Sequence, residues 1–271
     1  MLRSLWTAAT GMVAQQTNVD VIANNLANVN TTGYKTEVNE FKSLLYQTIQ
    51  TRTTSANGEE KPIGAQVGLG TRVASNTSLY TQGTLVASDS NSDFAIEGDG
   101  FFSVRGADGT VYYTRNGSFS WNIGVNGTTL CTQDGYPVLD STGNPIVLPN
   151  GITSGNAQIS ADGVVGYMNA AGVYVPMNQT IGLYQFNNPG GLEKVANSLL
   201  RVTDASGNPL NEATVAALTP SKIHQSYLEG SNVQVADEMV NLIVAQRAYQ
   251  LNSKAITVSD EMLEQANNLR R

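Results

Sequence analysis

The sequence predicts an α+β fold in which long helices at the two ends form an inner coiled-coil domain and a central antiparallel β-rich domain lies between them. Three observations predict it. Apolar residues recur every seven positions near each terminus, the pattern of a helix meant to pair with other helices. The middle alternates short β-rich runs with Asp-Gly and Asn-Gly dipeptides, which are hairpin and tight-turn signals. Most of the eight prolines also fall in that middle, where strands end and turns begin.

The first element is a helix within residues 1–34. No proline interrupts Leu2 to Val29, and Leu5, Met12, Val19 and Leu26 form the seven-residue series. Between Ser4 and Tyr34 the only charged side chain is Asp20. A lone amphipathic helix normally carries a charged solvent face. This one carries Thr, Asn and Gln instead, which suits a helix enclosed by neighbours or facing a polar channel. Gly33 is expected in the left-handed conformation that ends the segment.

Residues 35–82 read as an extended connecting segment. Within it Thr51–Gly70 is polar, contains glycine and has no period, so by itself it reads as a long loop. The β-rich domain is expected over residues 83–220. Its strands are predicted at Asp93–Ile96, Phe101–Val104, Val111–Thr114 and Ile181–Phe186. Its turns are predicted at Asp108-Gly109, Asn116-Gly117, Asn126-Gly127, Asp134-Gly135, Asn150-Gly151 and Asp162-Gly163.

Residues 221–271 repeat the helical design, with Val235, Leu242, Tyr249, Ile256 and Leu263 in one series. Asn252 and Ser259 interrupt the apolar stripe, and such polar seam residues can fix register. Ser231 or Asn232 is the expected N-cap. Asp237 and Glu238 lie early and Arg270 and Arg271 late, which matches the helix dipole.

Composition narrows the function. Only 14% of residues are charged, against roughly 25% for ordinary soluble domains. The net charge of −7 is offset by no basic patch, so the footprint of a nucleic-acid binder is missing. One cysteine, Cys131, excludes an internal disulfide framework, and one histidine, His224, excludes a multi-histidine metal centre. No apolar run reaches the roughly 18 residues that mark a membrane-spanning helix, so no membrane insertion is expected. Arg3 is followed by no apolar h-region, so a cleaved Sec-type signal is not expected either.

The chemistry-bearing residues give no catalytic constellation. His224 has Ser221 and Ser226 nearby in no nucleophile motif. Cys131, in the β-rich run Thr128–Thr132, reads as a small buried hydrophobe. Glu97-Gly98-Asp99-Gly100 resembles a calcium loop but lacks its alternating ligands and closing Glu, and reads as a tight turn. Asp93, Glu97, Asp99 and Asp108 are the clustered carboxylates that a rival reading, a secreted polysaccharide-active enzyme or adhesin, would need. No catalytic, cofactor-binding or metal site is expected, and the chain is read as a non-enzyme that takes no cofactor.

Val21-Ile22-Ala23-Asn24-Asn25-Leu26-Ala27-Asn28-Val29-Asn30-Thr31-Thr32-Gly33-Tyr34-Lys35 closely resembles the N-terminal motif of the flagellar rod and hook family. Ser231-Asn232-Val233, Glu238-Met239-Val240, Gln246-Arg247-Ala248-Tyr249 and Asn252-Ser253-Lys254-Ala255 resemble that family's C-terminal motif. Asp93–Phe102 and Tyr113–Phe119 are similar to the start of its β domain. Ser4–Gly11 and Leu44–Ile49 are most similar to members that build the distal rod, with proximal rod and hook as alternatives. The extended stretch after Ile49 is similar too, and in those members an extra segment here accompanies a straight, stiff rod.

The resemblance implies a structural subunit that leaves the cell unfolded through the flagellar export apparatus and polymerises with itself into a helical rod. The terminal helices would line the channel, the β domain would lie outside, and the rod would carry torque through the periplasm to the hook. Proximal rod, hook and surrounding ring proteins would be its partners, with no nucleic acid among them. The family-motif residues carried over are Asn24, Asn25, Leu26, Asn28, Gly33, Gln246, Arg247, Ala248, Tyr249, Asn252, Ser253 and Lys254. The two seven-residue series above would form the helix seam of the assembly.

Overall fold

A computed structural model of the protein describes residues 2–50, 64–124, 127–149, 152, 154–169, 173–215 and 217–269. The chain divides into two compact units. One comprises Met1–Ala27, Glu37–Thr77 and Gln234–Arg271; the other comprises Asn28–Thr36 and Ser78–Val233.

The first unit is built on two helices, α1 (Leu2–Ala27) and the C-terminal helix α2 (Val235–Asn268). At 1.5 Å per residue the 34 residues of α2 span about 50 Å. The helices run antiparallel. Ser4 Oγ lies 3.2 Å from Ser259 Oγ, a Cβ on Gly11 would lie 2.9 Å from Asn252 Nδ2, and Asn25 Nδ2 is 3.4 Å from Glu238 Oε1. As the α1 position advances through Ser4, Gly11 and Asn25, the α2 partner retreats by equal steps through Ser259, Asn252 and Glu238. A single register therefore holds along the pair, and it places the buried Ala245 opposite Asn18. A side chain at Gly11 would press on the Asn252 amide, which would have to shift.

Against α1 lies a ribbon of four strands, β1 (Glu37–Ser43), β2 (Tyr46–Gln50), β3 (Ala65–Gly68) and β4 (Thr71–Ser78). β1 pairs with β4, and β2 pairs antiparallel with β3. The end of the stretch read as a loop is thus a strand. Val67 supplies the only large β-branched residue there, too little to give a strand period; pairing with β2 supplies the order. Residues 51–63 lie outside the described residues.

The second unit is β-rich, with β5 (Leu85–Ala87), β6 (Phe94–Glu97), β7 (Phe101–Arg105), β8 (Val111–Thr114), β9 (Phe119–Gly124) and β10 (Gly127–Thr132) as its first strands. Its largest sheet has six strands in the order Glu193–Lys194, Leu200–Arg201, β8, β7, Leu183–Gln185, Leu210–Asn211. Successive side chains on a strand point to opposite faces, and β7 uses this to serve two cores. Phe102 and Val104 join Phe94, Leu130, Ile146 and Val165 in the main cluster, while Phe101 packs with Tyr113, Phe186 and Leu200 in a second. Burial in that second cluster pushes the Tyr113 phenol up to about 12.

The expected strands occur near their predicted positions, and so do four of the turns. Gly109, Gly135 and Gly163 have φ of 78°, 86° and 79°, as their Asp-Gly dipeptides suggest, and Asn116-Gly117 lies between β8 and β9. Asn126 and the Asn150-Gly151 dipeptide lie outside the described residues. Gly33 takes the expected left-handed conformation at φ 69°.

Two expectations need correction. Residues 221–230 are not helical: Lys222–Gln225 pairs with β6 and Tyr227–Glu229 pairs with β5. Neither Ser231 nor Asn232 caps α2. Gln234 holds the cap position without a side-chain bond. Asn232 is already committed elsewhere: its Oδ1 accepts from Thr36 N at 2.7 Å and its Nδ2 donates to Leu79 O at 2.9 Å. Asp237 and Glu238 do lie in the first turn of α2, whereas Arg270 and Arg271 lie outside the described residues.

Candidate assembly surface

Asn24, Asn25 and Leu26 fall on the last turns of α1. Asn25 is buried and treats the first residue of β1 as a strand partner would, its Oδ1 accepting from Glu37 N and its Nδ2 donating to Glu37 O, both at 2.9 Å. Asn24 is exposed. Asn28 accepts from the Thr31 hydroxyl at 3.0 Å and closes the turn after α1. On α2, Ala248 and Asn252 are half-buried, while Gln246, Arg247, Tyr249, Ser253 and Lys254 are exposed. The motif residues thus divide into those that fix the subunit's own chain path and those that face outward.

The two seven-residue apolar series lie beside the Ser4–Gly11–Asn25 seam, one residue from it along α1 and three or four residues, close to one turn, along α2. Leu5, Met12, Val19 and Leu26 are half-buried, as are Leu242, Ile256 and Leu263, while Val235 and Tyr249 are exposed. The intrachain contact therefore uses small and polar residues and leaves much of the apolar surface uncovered. One flank of α2, next to its contact with α1, carries Val244, Leu251 and Val258, which with Val240 are exposed. Two grooves flank α1: one of about 500 Å³ between α1 and β4, and one of about 350 Å³ lined by Gln16, Val19, Gln246, Tyr249 and Gln250.

In the β-rich unit the same motif leads into a buried charge cluster. Lys35 Nζ lies 2.6 Å from Glu229 Oε1 and donates to Thr81 O at 2.8 Å. Arg115 Nη1 lies 3.4 Å from Glu229 Oε2, and its Nη2 donates to Gly98 O at 2.6 Å. Gly83 N donates to the same carboxylate, and Gly33 N to the Glu229 carbonyl. The guanidinium also lies over the Phe101 ring, 5.1 Å from its centroid. Burial pushes the Lys35 amine below its ordinary range, opposed by the Glu229 charge, and Arg115 is lowered for the same reason. Gly33 sits where a Cβ would meet the Arg115 and Asn116 backbone at 2.7 Å. Sequence reading quoted Lys35 and Arg115 within motifs without giving them a role, and Glu229 not at all. The available signal was rarity: in a chain so poor in charge, a lysine and an arginine inside otherwise neutral motifs are candidates for burial.

The remaining chemistry-bearing residues are structurally engaged. His224 Nε2 lies 2.8 Å from Glu97 Oε2, and this bond holds the exposed Glu97 carboxyl below its usual range. Asp93 accepts from the Ser88 hydroxyl, and Asp108 from Thr110 and Tyr112 within its own turn. Gly98, at φ 130°, makes the turn between β6 and β7. Cys131 is buried, which pushes its thiol up. Among the described residues no three potential ligands are grouped to hold a metal ion, and no helix is long and apolar enough to cross a membrane.

Helices that leave apolar residues exposed, and a β-rich unit whose polar groups serve its own folding, suit a structural subunit. Three family models match the chain: "Flagella basal body rod protein" over residues 5–35, "Flagellar hook protein FlgE/F/G D1 domain" over residues 95–167, and "Flagellar basal body rod FlgEFG protein C-terminal" over residues 224–269. The flagellar basal-body rod protein FlgG of Borreliella burgdorferi is 42% identical over 273 residues, covering all of both chains. FlgG of Agrobacterium fabrum is 42% identical over 96% of this chain and 97% of its own, and FlgG of Bacillus subtilis 37% identical over all of both. The chain belongs to the flagellar rod and hook family, as a structural subunit of the basal body.

Proposed function

We propose that the chain polymerises helically into the distal rod, transmits torque to the hook and encloses the export channel. The α1–α2 pair would form an inner coiled coil together with the helices of neighbouring copies. Residues 28–36 and 78–233 would form the outer domain, and residues 37–77 a segment that stiffens the rod. The observation that carries this reading is the set of apolar residues that α2 leaves exposed beside its contact with α1, Val240, Val244, Leu251 and Val258. A head-to-tail interface that does not close on itself yields a helical filament.

Proximal rod and hook proteins are the proposed axial neighbours, with ring proteins around them in the periplasm and export without a cleaved signal. The role is mechanical rather than enzymatic. Purified full-length protein should form straight tubes visible by negative-stain electron microscopy and should pellet on ultracentrifugation. A chain that stays monomeric by sedimentation velocity at the highest soluble concentration would overturn the proposal.

A further inference from the structure

A cleft of about 210 Å³ opens on the β-rich unit, walled by residues 114–118 after β8, by residues 132–134 at the end of β10, and by the turn at residues 197–199. Hydrogen bonds across the walls hold them together: Thr114 Oγ1 donates to Ser198 O at 3.0 Å, and Gln133 Nε2 donates to Ser118 Oγ at 2.9 Å. Asn116 commits its Oδ1 to Thr32 Oγ1 and Ser118 N. Its Nδ2, the Asp134 carboxylate, the Asn197 amide and the Ser198 hydroxyl take no hydrogen bond among the described residues, and all four residues line the cleft.

The third wall is strained. Asn197 and Ser198 both lie in the left-handed region, at φ 62° and 59°. Asparagine visits that region readily, whereas the second residue of such a turn is usually glycine. The Thr114 bond and the burial of Leu199 hold the turn in place. The chain thus keeps a serine hydroxyl at the cleft where glycine would fold more easily.

The lining selects a chemistry. It carries no lysine, arginine or histidine, and its one charged residue is Asp134, which disfavours a phosphate or carboxylate ligand. Its one large apolar side chain, Leu199, is buried, so an apolar ligand gains little there. An extended peptide binds by adding to a free strand edge and filling side-chain pockets, but β8 and β10 each have a strand on both sides. A neutral ligand whose groups both donate and accept fits best, as sugar hydroxyls and acetamido groups do. We infer that the cleft binds one sugar unit of an uncharged glycan, Asp134 accepting from its hydroxyls, and Asn116 Nδ2 and Asn197 donating to its oxygens. The inference stands apart from the polymer reading, because the cleft lies wholly within the β-rich unit.

The test uses the full-length protein with two probes, the trimer of N-acetylglucosamine and maltotriose. Saturation-transfer NMR reads the sugar's own protons, so monomer and polymer serve equally. Saturable transfer to at least one probe is expected, and the tighter of the two separates acetamido sugars from plain hexoses. Asp134→Ala and Asn197→Gly should each weaken that binding about tenfold, the loss of one hydrogen bond. Both residues are exposed, so Asp134→Ala should leave the thermal melt unchanged. Asn197→Gly should melt no lower than the parent, because glycine adopts the left-handed turn freely. Absence of transfer to both sugars overturns the inference. So does transfer that both variants leave intact, or inorganic phosphate that displaces the sugar.

Discussion

Glu229 ties together distant parts of the β-rich unit. It pairs with both Lys35 and Arg115, and its carboxylate also takes the Gly83 amide. A buried ion pair adds little over an apolar core of equal volume, but removing one partner strands the other charge at a cost of about 3–5 kcal/mol. Glu229→Gln strands two cations and should destabilise the unit by that amount, read as a fall in the denaturant midpoint. Lys35→Met should cost less, because Arg115 still neutralises the carboxylate. An equal loss in both variants would contradict the geometry. The cluster was only partly legible in the sequence: Lys35, Arg115 and Glu229 are spread across nearly two hundred residues, and charge scarcity says that such residues matter without saying which of them meet.

At the scale of elements, the seven-residue series identified α1 and α2 as helices but did not identify the faces that pair. Ser4, Gly11 and Asn25 on one side, with Glu238, Asn252 and Ser259 on the other, carry no hydrophobic signal. Their fitness is steric, since small side chains allow close approach, and polar, since Asn25 and Glu238 satisfy each other. Burial raises the Glu238 carboxyl above its ordinary value, with the Asn25 bond opposing. The sign follows from linkage. A carboxyl raised in the folded state contributes stability that is fully present below its unfolded value of 4.5 and is lost as the pH rises through the folded value. Glu238→Gln keeps an acceptor for Asn25 and removes that loss. The variant should therefore melt a few degrees higher than the parent at pH 7, by about 1 kcal/mol or less, because the α2 dipole favours the charge and trims the effect. The gap should close by pH 4. A variant that melts lower at pH 7 would show that the charge itself is favourable there.

For the whole molecule, the boundaries of the β-rich unit differ from those expected over 83–220. The unit takes in residues 28–36 and continues to Val233. Lys222–Gln225 covers one edge of β6, and Ile223 enters the main core. A fragment of residues 78–233 should thus be soluble and unfold cooperatively. A fragment of residues 83–220 should not, since it exposes the β6 edge and leaves Arg115 buried without its carboxylate. Sharp, dispersed amide resonances from the shorter fragment would refute this account.

The sequence alone determined the order of elements, the strands around Phe94, Phe101 and Val111, the Asp-Gly turns and the left-handed Gly33. Each depends on local spacing or on the backbone freedom of one residue, and such constraints act within a few positions of the chain. Only the tertiary structure decided that residues 222–229 are strands, that Asn232 binds Thr36 and Leu79 instead of capping α2, and that the helices meet along a small, polar seam. Those outcomes depend on which distant groups compete for the same hydrogen bonds and the same volume. A one-dimensional pattern cannot rank partners that lie two hundred residues apart, whereas burial makes every unpaired polar group costly and so selects one arrangement.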